Sequence, residues 1–130
     1  GFLALSSENA VVLKADNYDP NNSYSCAIQS GPMLLIENNV NIQFDKNSKN
    51  KNFRIGVGVY EQKGEKFIVF ASSNVPVTFY QFALLFLTKY KCSNALNLES
   101  GSYCSLKTPS AKKPFSKTRI VCNYLYFQLK

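Results

Sequence analysis

The chain has 130 residues, 45% of them hydrophobic, with ten Phe and eight Tyr, which supports one packed domain and excludes both two domains and intrinsic disorder. The formal charge is +7, but all except two of the fifteen cations are lysines scattered along the chain, a solvated surface rather than a reader of phosphate, so no nucleic-acid partner is expected. Histidine is absent, which excludes Ser-His-Asp and Cys-His catalysis and leaves carboxylates, Tyr, Lys or water to move protons, pointing toward glycosidic or phosphodiester chemistry.

Phe2 to Leu5 and Ala10 to Lys14 are short apolar runs around the turn formers Ser6-Ser7-Glu8-Asn9, the pattern of a β-hairpin. Residues 16–23 form a loop that contains Asn21-Asn22-Ser23, a glycosylation acceptor in a secreted eukaryotic protein. Ser25 to Gln29 and Met33 to Glu37 read as strands around the break Ser30-Gly31-Pro32. Val40, Ile42 and Phe44 alternate with polar residues, as a short strand does before a mobile loop. Ile55 to Tyr60 and Lys66 to Ala71, with Gly64 between them, give the clearest hairpin in the chain. Gly56 and Gly58 lack the continuation of a dinucleotide fingerprint and are read as places of close packing.

Thr78 and Gln81 have capping-box spacing and predict a helix from Phe79 to Tyr90, apolar almost all round and therefore buried. Residues 94–98 alternate as a strand and deliver Glu99-Ser100-Gly101-Ser102 to a loop, with Asn97 and Glu99 on one face by period-two alternation. Residues 108–118 are a basic surface excursion, and Arg119 to Leu129 is the last strand. The expected class is α+β, a largely antiparallel β-sheet with one principal buried helix. No apolar run approaches the ~20 residues of a membrane span. Neither a metal nor a cofactor is expected, because Cys26, Cys92, Cys104 and Cys122 lack paired ligand spacing. They leave open either disulfides in an oxidising compartment or buried free thiols.

Four segments carry a family resemblance. Ala27-Ile28-Gln29-Ser30-Gly31-Pro32-Met33-Leu34-Leu35, Arg54-Ile55-Gly56-Val57-Gly58-Val59, Val77-Thr78-Phe79-Tyr80-Gln81-Phe82-Ala83 and Cys92-Ser93-Asn94-Ala95-Leu96-Asn97-Leu98-Glu99-Ser100-Gly101 follow one another in the chain. Together they resemble the phosphodiester glycosidase domain family, the family of the uncovering enzyme, and within it the exported, uncharacterised bacterial branch. The resemblance spans nearly the whole chain and is similar to the C-terminal portion of the family's domain. It implies hydrolysis of a sugar phosphodiester or binding of an anionic glycan by an exported protein (secreted, periplasmic or at the cell surface). The alternative is a non-catalytic carbohydrate- or polyanion-binding module. Arg54 and Glu99 are the candidate catalytic residues, and Gln29, Ser30, Gly31, Asn97 and Ser102 the candidate substrate contacts. Glu99-Ser100 stands where the family has Asp-Gly. The charge is kept on a longer stem, and a displacement of about an ångström is worth ~10²-fold in rate.

Overall fold

The computed structural model describes residues 1–101. The expectations for Ser102, Cys104, Cys122, the basic excursion and the last strand fall outside them. The described chain is α+β, built as three layers: a three-stranded sheet, a five-stranded sheet, and one helix on the far side of the larger sheet.

The first layer holds β1 (Phe2–Leu5), β2 (Ala10–Leu13) and β3 (Cys26–Gln29), in the antiparallel order β2-β1-β3. The second holds β4 (Met33–Ile36), β5 (Asn39–Val40), β6 (Arg54–Gln62), β7 (Glu65–Ser72) and β8 (Asn94–Ser100), in the order β5-β4-β8-β6-β7. The sequence reading gives one sheet. Two form because the break at Ser30-Gly31-Pro32 separates β3 from β4, and the two strands enter different layers. Between the sheets, Leu3 and Val12 from one side meet Met33, Val57, Val59 and Leu96 from the other.

On its other face the five-stranded sheet packs against the helix. Thr78 caps α1 (Phe79–Leu84) as a full capping box, its hydroxyl accepting from the Gln81 N–H and the Gln81 side chain accepting from the Thr78 N–H. A π turn over Leu85–Lys89 follows, and Tyr90 lies just outside it, so the helical stretch ends one residue short of the expected Tyr90. Lys91, at φ +56°, turns the chain in the left-handed manner that ends many helices. Phe82, Ala83 and Phe86 are buried against Leu34, Ala71, Cys92 and Ala95.

Gly56 and Gly58 permit this approach. A Cβ on Gly58 would lie 2.6 Å from Cys92 Sγ and 2.7 Å from Phe86 Cδ1, and one on Gly56 3.0 Å from Phe82 Cε1. The bare stripe on β6 is the socket for the helix, in keeping with the sequence reading of close packing. The β6–β7 hairpin turns through Lys63 and Gly64, both at positive φ, the backbone of a tight hairpin turn.

One strand is shorter than the alternation implies. The expected Val40–Ile42–Phe44 pattern stops after Val40 because Asn41 intervenes: its amide donates to Met33 O, and its side-chain oxygen accepts from the Gln43 N–H. Ile42 is thrown outward and left 97% exposed.

Cys26 and Cys92 are both free thiols, Cys26 exposed and Cys92 buried. Burial pushes the Cys92 thiol up to about 11. In the unfolded chain this thiol ionises first, so its contribution to stability is present below pH about 9 and lost as pH rises toward 11. Alkylation of the native protein, read by peptide mass mapping, is expected to label Cys26 readily and Cys92 only after unfolding. Equal labelling of the two would contradict this packing.

Candidate functional site

The candidate residues meet where the break after β3 lies against the end of β8, and a β-bulge decides which side each one takes. Along β6 and β8 the pairs are Gly56 with Asn97, Ile55 with Glu99, and Arg54 with Ser100. Between the first two pairs β6 advances one residue and β8 two, so Leu98 is the extra residue. Residues directly opposite share a face. Asn97 and Ser100 therefore join Arg54 on the helix side, whereas Glu99 joins Ile55 on the side of the small sheet. The expected common face for Asn97 and Glu99 is corrected accordingly. The Arg54 guanidinium and the Glu99 carboxylate lie on opposite faces of the sheet. Glu99 is exposed and belongs to the strand, not to a loop beyond it, and one of its carboxylate oxygens accepts from the Ser100 N–H at 2.7 Å.

On the helix side the polar groups form a buried chain with one direction of donation. Arg54 Nη1 donates to Ser100 Oγ at 2.8 Å, Ser100 Oγ to Asn97 Oδ1 at 3.2 Å, and Asn97 Nδ2 to the Gly31 carbonyl at 3.0 Å. Arg54 is 1% exposed and Asn97 4%. Arg54 Nε also donates to Val77 O at 2.9 Å, and Nη2 reaches Asn50 O at 3.4 Å. The guanidinium lies 3.5 Å from the centroid of Phe79, whose ring stacks on Phe44 at 5.1 Å. Planarity and fixed donor directions let one arginine gather two loops, a strand end and a helix start, which lysine cannot do.

The other candidates lie along the same seam. Ser30 Oγ donates to Leu98 O at 3.1 Å, and the Asn97 N–H donates to Pro32 O at 2.9 Å. Ser30 also continues the β1–β3 ladder, its N–H bonding Gly1 O and its carbonyl accepting from Gly1 N. Gln29 pairs with Phe2 and is exposed, as is Gly31. The structure thus joins Arg54, Asn97 and Gly31 through hydrogen bonds that pass by Ser100, and ties Ser30 beside them to Leu98 O. Glu99 follows Leu98 directly in the chain on the outer side of the seam.

Two contributors escaped the sequence reading. Ser100 enters there only as a departure from Asp-Gly, yet it links Arg54 to Asn97. Phe79 enters only as a helix residue, yet its ring carries the guanidinium. The signal for Ser100 is its position three residues after Asn97, which places the two on one strand face only if a bulge intervenes.

Fold and seam together define an α+β domain whose polar groups gather at the meeting of a strand break and a strand end, with exposed neutral donors and one carboxylate at the rim. The family model described as phosphodiester glycosidase matches residues 1–128, and the chain belongs to that family. No curated protein and no solved structure is significantly similar to it.

Proposed function

We propose that this domain binds a sugar phosphodiester at the seam between Gln29-Ser30-Gly31 and Leu98-Glu99 and hydrolyses its glycosidic bond. Water adds to the anomeric carbon, the bond from that carbon to the phosphate oxygen breaks, and a free sugar and a phosphomonoester leave. Family membership over residues 1–128 carries the reading. In it, Glu99 positions the water or a sugar hydroxyl, Gln29, Ser30 and Gly31 fix the ester by neutral hydrogen bonds, and Ser102 adds a contact. Arg54, being buried, acts through Ser100 and Asn97 as a positioning residue. The net charge of +7 favours approach of an anionic ester. An exported location, in the cell envelope or beyond it, belongs to the same proposal.

The burial of Arg54 and Asn97 favours one second reading, a module that binds the ester without turning it over. Incubation with a sugar 1-(p-nitrophenyl phosphodiester) separates the two. The expected result is release of free sugar and p-nitrophenyl phosphate, reduced at least about a hundredfold in Glu99→Gln. Binding without release would establish the second reading, and neither binding nor release would sink both.

A further inference from the structure

The loops at the start of the helix, residues 41–53 and 73–77, are tied into one rim. Asn52 and Val77 exchange backbone hydrogen bonds at 3.0 and 2.9 Å, the Phe44 ring lies on Phe79, and Lys46 stands over the ring of Tyr80. Two aliphatic side chains leave this rim for water, Ile42 at 97% exposure and Val75 at 56%. With Phe82, Ala83 and Phe86 turned to the sheet, Tyr80 and Leu84 lie one turn apart on the other side of the helix. Both are only half-buried, so the apolar surface continues along the helix. Charge follows the same layer. Residues 41–53 and 73–93 carry five lysines, all exposed, against Asp45, whereas residues 1–29, which form the small sheet, carry one lysine against three carboxylates. The helix face is therefore positive and apolar, and the opposite face negative.

We propose that the helix face docks on an anionic lipid surface. Ile42 and Val75 enter the boundary between headgroups and acyl chains. Lys46, Lys49 and Lys51 at one end of the helix, and Lys89 and Lys91 at the other, lie against lipid phosphates. Lysine is a poor fork for a single phosphate but suits a diffuse field of many, and each one near such a surface strengthens binding about fivefold. Aliphatic side chains that protrude from a rim need no matching pocket in a fluid layer, as they would on a folded partner. Charge sets the other occupants aside: a second copy would bring the same five lysines against these, and a neutral lipid surface would leave them without counter-charge. Docked in this way, the domain keeps its small sheet, with Gln29, and the outer side of the seam, with Glu99, toward water. The lipid surface then orients the seam without covering it. The proposal does not rest on the hydrolase reading.

Co-sedimentation of the full chain with vesicles of phosphatidylglycerol and phosphatidylcholine in equal parts, and with vesicles of phosphatidylcholine alone, tests the docking. Binding to the first is expected, at least about tenfold weaker to the second, and weakening as salt rises. Joint replacement Lys46→Gln, Lys49→Gln and Lys51→Gln should lower the affinity about a hundredfold. Ile42→Ser should lower it about fivefold with an unchanged melting curve, since a side chain this exposed adds almost nothing to the fold. Lys14→Gln and Lys66→Gln, on the small-sheet side, should leave it within about twofold. Absence of binding to the anionic vesicles would overturn the proposal. So would binding that the triple lysine variant and Ile42→Ser both leave intact, which would move it to the basic stretch 107–119. Equal affinity for polyglutamate, with no loss in Ile42→Ser, would make the face a site for acidic polypeptide instead.

Discussion

Replacing Phe86 with alanine is expected to cost ~3–5 kcal/mol of unfolding free energy, a large part of what a domain of this size has to spare. Phe86 is fully buried and meets Phe82 edge to face at 5.3 Å. Beneath it lies the bare backbone of Gly58, which has no side chain to move into a vacated space. The cavity therefore persists, and cavity volume adds to the lost transfer energy. Denaturant titration measures the effect. A loss under about 1 kcal/mol would mean that the helix is not seated in the glycine stripe.

Arg54→Ala is expected to destabilise by a similar ~3–5 kcal/mol, because it empties a buried site, leaves the part-buried acceptors Val77 O and Ser100 Oγ without their charged donor and removes the cation from Phe79. Arg54→Lys should recover only part of this, since an ammonium cannot reach both acceptors and lie flat on the ring. A double-mutant cycle with Ser100→Ala distinguishes a linked pair from general packing. Coupling of about 1–2 kcal/mol is expected, and additivity within ~0.3 kcal/mol would break the proposed chain between Arg54 and Asn97.

What was legible in the sequence is what local chemistry decides. The Thr78–Gln81 box, the Gly64 turn and the Gly56/Gly58 stripe each depend on residues close together in the chain, and each takes its expected form. The Arg54 environment does not: its acceptors and its ring come from Asn50, Val77, Ser100 and Phe79, which no periodicity joins. An arginine before a strand reads as a candidate catalytic residue, and its interior place shows only when those pieces close over it. The bulge at Leu98 is hidden for a related reason. Asn94 to Ser100 alternates well enough to look regular, and the extra residue shows only when β8 is counted against β6. That one uncounted residue put Glu99 on the wrong face in the sequence reading and left Ser100 without a role.

None of the groups in the buried chain from Arg54 through Ser100 and Asn97 to the Gly31 carbonyl gains or loses a proton between roughly pH 5 and 10, because guanidinium, hydroxyl, amide and peptide all titrate outside that range. The support beneath the seam is thus indifferent to acidity. It also carries polarisation one way, each acceptor being the next donor, so the field of the interior cation is felt at the exposed Gly31 peptide. A pH profile measured on this protein would report the groups that touch the ligand, and the ligand itself, rather than the scaffold that holds them.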